Sequence, residues 1–137
     1  MAKPKVSHAS GKRKSAVARA TVRLGKGILK INSIPLHLYE PEIARLRIKE
    51  ALAIAGPKVT SKVNIKVNVK GGGWSSQTEA VRLAIAKALV DYTDSEKLKK
   101  EYLDYDRHLL VADTRRKETR KPMTHSRARA KRQKSYR

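Results

Sequence analysis

Val59-Thr60-Ser61-Lys62-Val63-Asn64-Ile65-Lys66-Val67-Asn68-Val69-Lys70 has two unlike faces. Val59, Ser61, Val63, Ile65, Val67 and Val69 alternate with Thr60, Lys62, Asn64, Lys66, Asn68 and Lys70, and period two is the signature of a strand. The first set is nearly all β-branched and suits a core. The second, lysine and asparagine, cannot be buried without partners. Whatever sheet this strand joins therefore has one covered side and one wet, cationic side.

Downstream, Gly71-Gly72-Gly73-Trp74 leads into Ser76-Gln77-Thr78-Glu79, which has the form of a capping box. The helix it opens places Ala80, Val81, Ala84, Ile85, Ala88 and Leu89 on one face, with Arg82, Lys87 and Asp91 elsewhere. Its alanines permit close approach to a sheet, and Trp74 is expected in the core, covering the helix's apolar edge, with stacking on a base as the second reading. Asp94 or Ser95 caps a shorter helix through about Leu103, and Leu109-Leu110-Val111 is the last apolar cluster.

Upstream, Ala16, Ala18, Ala20, Val22 and Leu24 alternate with Val17, Arg19, Thr21 and Arg23, a second strand. Gly25-Lys26-Gly27 supplies turn chemistry before Ile28-Leu29-Lys30-Ile31, which predicts a hairpin. Residues 32–40 form a loop with room for a short extended piece. Pro41, beside Glu40 and Glu42, suits a helix's first turn. Ile43, Leu46, Ala51, Leu52 and Ala55 follow near helical spacing, and Gly56-Pro57 stops the run.

These elements predict an α+β domain: a small mixed sheet of about four strands with two main helices on one face. Lys62, Lys66 and Lys70 with Arg19 and Arg23 would line the other. The expected divisions are a flexible basic segment over 1–14, a globular body over 15–112 and an arm over 113–137.

Charge follows the same divisions. The net charge is +21, yet residues 40–113 carry thirteen cations and eleven acids. Residues 1–39 carry nine cations and no acid, and residues 114–137 carry eleven against Glu118 alone. Two cationic ends around a near-neutral body point to a polyanion, with nucleic acid ahead of a membrane surface because no large apolar helical face accompanies the charge. The chain has no cysteine, which excludes disulfides and thiolate metal sites. No apolar run approaches spanning length, and the start lacks the apolar core of a signal peptide. A cytoplasmic setting is expected.

From Thr114 onward there is no Val, Ile, Leu, Phe or Trp. Such a segment cannot bury enough surface to offset the entropy of ordering, so it is expected to be extended until a polyanion orders it. Arg115, Arg116, Lys117, Arg120 and Lys121 open it. Arg127, Arg129 and Lys131 then fall at every second residue, followed by Arg132 and by Lys134-Ser135-Tyr136-Arg137. Fully extended, about 24 residues span at most roughly 80 Å.

Reactive constellations are scarce. Gly71-Gly72-Gly73 before a helix resembles a phosphate cradle but matches neither dinucleotide fingerprint nor P-loop. A turn that lets backbones pack closely explains it better, with an RNA phosphate contact as the second reading. His8, His37, His108 and His125 lack metal-ligand spacing, and Asp104-Tyr105-Asp106 beside Lys99, Lys100 and Arg107 reads as ion pairing. No enzyme, metal or cofactor is expected.

The run Gly71–Leu89 closely resembles the signature of the ninth protein of the small ribosomal subunit. Gly11-Lys12-Arg13-Lys14-Ser15-Ala16-Val17-Ala18-Arg19 is similar to that family's opening. Asp113 with Arg115, Arg116, Glu118 and Lys121 is similar to its tail entry, and Ser135-Tyr136-Arg137 resembles the ending of its archaeal and eukaryotic branch. The resemblance implies a structural protein of the subunit head bound to small-subunit rRNA, with a left-handed β-α-β crossover. It also implies an arm whose tip, Arg137 with Lys134 and Tyr136, meets the peptidyl-site tRNA. On that basis rRNA contacts are expected from Lys12, Arg13, Lys14, Arg19, Arg23, Lys62, Lys66 and Lys70. Further contacts are expected along the arm from Arg115, Arg116, Lys117, Arg120, Lys121, Arg127, Arg129, Lys131 and Arg132. The other expected partners are neighbouring head proteins, with no membrane and no DNA. A free chromatin-type or RNA-chaperone protein, and an RNA-modifying enzyme with a basic docking face, are the rival readings.

Overall fold

The structure, a computed structural model, describes residues 5–131. Its elements are β1 (Val6–Arg13), β2 (Ala16–Leu24), β3 (Leu29–Ile31), β4 (Ile34–Pro35), α1 (Glu42–Ala55), α2 (Pro57–Thr60), β5 (Val63–Lys70), α3 (Trp74–Thr93) and α4 (Glu96–Tyr105). Short 3-10 turns cover Leu36–Leu38 and Arg107–Leu109. The strands form one mixed sheet in the order β1-β2-β5-β3-β4. β2 is antiparallel to both β1 and β5, and β3 runs parallel to β5, so α1 lies on the crossover between them.

The sheet has five strands rather than four, because the segment expected to be a flexible arm over 1–14 pairs with β2 from Val6↔Arg23 to Arg13↔Ala16. Its covered side is Ser7, Ala9 and Gly11, small residues that α3 reaches directly. A Cβ on Gly11 would stand 2.2 Å from the Ala80 carbonyl oxygen and 2.8 Å from the Ala84 amide nitrogen. Glycine here is a steric requirement of helix-on-strand contact.

The hairpin expected between β2 and β3 does not form; β5 lies between them. The Gly25–Gly27 link instead finds its hydrogen bonds on β5 and the turn before it. Gly25 N–H donates to Lys62 O, Gly27 N–H to Val63 O, and the Asn64 carboxamide oxygen accepts from the amides of Lys26 and Ile28 at 2.8 and 3.1 Å. β5 itself starts at Val63, four residues later than the alternation suggests, because Pro57–Thr60 closes a helical turn in which Thr60 Oγ1 donates to Gly56 O.

On α3 the expected face is buried in full: Ala80, Val81, Ala84, Ile85, Ala88 and Leu89 are all inaccessible. Its start differs. The N-cap is Gly73 rather than Ser76, with no side-chain cap, and Thr78 Oγ1 donates to Trp74 O at 2.7 Å. Trp74, expected in the core, is the helix's first residue and 52 % exposed. On α1, Ala44, Ile48 and Ala51 face inward while Ile43 and Leu46 face out. Ser95 caps α4 through its hydroxyl, as expected. Tyr102 then docks α4 on α1, fully buried, its hydroxyl donating to Ala51 O at 2.7 Å. Burial pushes that phenol's pKa up.

Arg82, which the sequence places off the helix's apolar face, is buried among acids. Its guanidinium meets Asp106 at 2.8 Å, Glu50 at 2.9 Å and, more loosely, Glu79 at 3.9 Å. Asp106 thus pairs with a buried arginine rather than with Lys99, Lys100 or Arg107, and Tyr105 donates to Glu50. The cluster joins α1, α3 and the end of α4. Burial alone would raise the Asp106 pKa, but the His108 amide and the Arg82 guanidinium outweigh it and hold it below the usual range.

Two outcomes follow. Gly11→Ala should cost about 1–3 kcal/mol through overpacking, read as a lower urea midpoint; an unchanged midpoint would mean that α3 does not rest on β1. Arg82→Met should cost about 2–3 kcal/mol, less than a fully buried pair because the carboxylates keep some water. Because the Asp106 carboxyl is depressed in the folded state, that contribution is complete above the ordinary carboxylate pKa and fades as pH falls through the folded value. The stability gap between wild type and variant should therefore shrink in acid, and a gap independent of pH would contradict the pairing.

Candidate nucleic-acid interface

All five strands together contain no aspartate or glutamate. On the side away from α3 the register sets out the cations in rungs. Lys12, Val17 and Lys70 form one rung, and Ser10, Arg19 and Asn68 the next. His8, Thr21, Lys66 and Lys30 form the third, and Val6, Arg23 and Asn64 the fourth. Neighbouring strands are about 4.8 Å apart and alternate residues about 6.6 Å. The grid therefore offers positive charge at close intervals in two directions. Lys12, Arg19, Arg23, Lys30, Lys66 and Lys70 are exposed, and none has a carboxylate partner among the described residues.

Lys30 directly opposite Lys66 is an unfavourable pair in the free protein. An anion lying over them converts that repulsion into attraction. Around this spot a shallow depression of about 550 Å³ is lined by Arg23, Lys30, Lys66 and Asn68, with Leu24 and Ile28 at its margin. His8 adds a ring nitrogen 3.0 Å from Thr21 Oγ1.

Of the residues singled out in the sequence, Lys12, Arg19, Arg23, Lys66 and Lys70 share this face. Lys62 is exposed in the turn before β5, beside the face. Lys14 sits at the β1–β2 turn with φ 52°. Arg13 does not join the sheet surface; it points to the helix side and meets Asp113 at 3.2 Å. Lys30 and His8 were missed, because the side of a three-residue strand and of a polar amino-terminal stretch shows only once their partners are known.

Asp113 is where the arm leaves the body. Besides Arg13 it accepts three side-chain bonds from Arg115, two from Nε at 3.0 and 3.2 Å and one from Nη2 at 2.8 Å, and one from the Arg115 amide. Those Arg115 bonds, with the charge of Arg13, hold its carboxyl well below the usual range. Beyond it, among the described residues, no hydrogen bond or ion pair ties residues 114–131 back to residues 5–112. The arm is not uniformly extended, however. Lys121 N–H donates to Arg127 O, Arg127 N–H donates to Thr124 O, and Met123, His125 and Ser126 take positive φ. Glu118 closes the base of this loop on Arg129 with two bonds, at 2.6 and 3.0 Å. Arg127, Arg129 and Lys131 thus do not form the even row their spacing suggests, and Arg129 is already neutralised. Lys117, Arg120, Lys121, Arg127 and Lys131 are exposed, and Arg116 caps backbone carbonyls of Asp113 and Arg115. Arg132, Lys134, Tyr136 and Arg137 lie outside the described residues.

The profile of the family described as Ribosomal protein S9/S16 matches residues 11–137. Small ribosomal subunit protein uS9 of Methanococcus maripaludis, in strains C7 and C5, is 47 % identical over 134 residues, covering 97 % of this chain and 99 % of each relative. A body of five acid-free strands followed by a basic arm thus belongs to the ribosomal protein S9/S16 family.

Proposed function

We propose that the chain is a structural, non-enzymatic constituent of the small ribosomal subunit in the cytoplasm. It binds small-subunit rRNA through the open sheet face and the arm, and it touches the peptidyl-site tRNA with the arm's last residues. The observation that carries this reading is the sheet without a carboxylate: an exposed cationic grid facing away from the helices, in a chain of net charge +21. Phosphate contacts by Lys and Arg position a protein on RNA without reading sequence. That suits a tail that must accept every tRNA, and its sequence-neutral grip needs no base-reading side chains. Among the described residues, Lys117, Arg120, Lys121, Arg127 and Lys131 supply the arm's unpaired charge. Arg13, Arg115 and Arg129 serve rather to set its path.

Lys66→Glu with Lys70→Glu and Arg19→Glu should block incorporation into subunits and lower the slope of log K against log salt for rRNA binding by about 2–3. Normal incorporation would make the sheet a solvent face. Removal of residues 134–137 should leave rRNA binding intact and weaken tRNA at the peptidyl site by about tenfold, the equivalent of one lost charge-assisted bond. Undiminished tRNA affinity in subunits carrying the shortened chain would refute the arm's role.

A further inference from the structure

We propose that Glu118 is a positioning residue of the arm: its carboxylate clasps Arg129, closes residues 118–129 into a preformed knuckle, and so sets how far and in which direction the residues beyond can reach. The proposal rests on the reading above that the arm's last residues act at the peptidyl-site tRNA.

Residues 114–137 carry eleven cations and a single acid. An acid in a segment that grips phosphate subtracts from its attraction, so its presence calls for a different use. Glu118 does not touch the body of the protein. Both of its oxygens accept from Arg129, eleven residues on: Oε2 from Nε at 3.0 Å and Oε1 from Nη2 at 2.6 Å. Two parallel bonds of this kind fix orientation as well as distance. The Arg129 guanidinium accordingly holds the Glu118 carboxyl below the usual range.

An exposed ion pair by itself holds little together, and the loop does not depend on it alone. Lys121 N–H donates to Arg127 O at 3.2 Å, Arg127 N–H to Thr124 O at 3.1 Å, and the Thr124 hydroxyl to Lys121 O at 2.6 Å. His125 and Ser126, at φ 50° and 62°, are the central residues of the tight turn from Thr124 to Arg127, and Met123 before it has φ 64°. Residues other than glycine stay in that left-handed region only where their surroundings impose it. Among the described residues no hydrogen bond or ion pair from residues 5–112 does so, and the constraint comes from the loop's own closure.

Closure changes the dimensions of the arm. Eleven links drawn out straight would span about 36–40 Å, whereas clasped they return close to where they began. The greatest reach of the arm thereby falls from roughly 80 Å to about 45 Å. A tip on a shorter, oriented tether is more concentrated at its target.

The chain has no cysteine, so spin labels placed on the full chain through Lys117→Cys and Ala130→Cys read the span of the loop directly. Free of RNA, the otherwise unchanged chain should give a short, narrow distribution of distances. Glu118→Gln should lengthen and broaden it, and the charge-reversed pair Glu118→Arg with Arg129→Glu should narrow it again. In small subunits assembled with the full-length variants, Glu118→Gln should weaken peptidyl-site tRNA about threefold, as the −3/2 power of tether length gives for about 24 residues against about 13. The reversed pair should restore the affinity. Charge alone predicts the opposite sign, because Glu118→Gln raises the net charge from +21 to +22. A broad distribution in the otherwise unchanged chain overturns the proposal. So does tRNA binding that is unchanged or tighter in Glu118→Gln while removal of residues 134–137 still weakens it. Removal of those residues without effect on tRNA, beside a narrow distribution that Glu118→Gln broadens, overturns the tRNA reading instead and upholds the clasp.

Discussion

How closely α3 can approach β1 and β2 governs everything on the other side of the sheet. Contact of a helix backbone with a strand backbone is possible here because Gly11 faces Ala80 and Ala84, with Ala16, Ala18 and Ala20 beside it. With that face sealed by small side chains, the apolar requirement of the fold is met by one layer. The opposite face is then free to carry charge. A larger residue at the contact would lift the helix and expose β-branched side chains of β5 to water.

The helix layer has its own internal tie. A single guanidinium, Arg82, gathers Glu50 from α1, Glu79 from its own helix and Asp106 from beyond α4. A buried cluster of this kind adds little net stability compared with apolar residues in place of all its members, but it penalises any arrangement that leaves one member unpaired. Three acids are thereby held on the helix side. The division of charge between the two faces is thus produced by the same contacts that fix the helices.

Much of this could be read from residue order, and the exceptions have physical reasons. β-branched alternation over Val63–Val69 and alanine spacing over Ala80–Leu89 fixed both the wet face and the covered one, because large side chains leave an unambiguous period. β1 left no such trace: its covered side is Ser7, Ala9 and Gly11, and smallness serves close contact while mimicking disorder. The pairing of β2 with β5 rather than with β3 depends on Asn64 holding the Gly25–Gly27 link, a contact between residues 36 to 38 positions apart. Ion pairs were the least visible. Arg82 with Glu50 and Asp106, Arg13 with Asp113, and Arg129 with Glu118 each need the fold or a loop to bring them together.

The carboxylate-free sheet has a consequence for the chain before it reaches its particle. With no counter-charge of its own on that surface, a newly made copy is drawn by long-range attraction to whichever polyanion it meets first, messenger or transfer RNA included. Charge gives it speed of encounter but no judgement. Choosing the right address must come from shape, and correct assembly then becomes a matter of escaping from many quick, shallow mistakes.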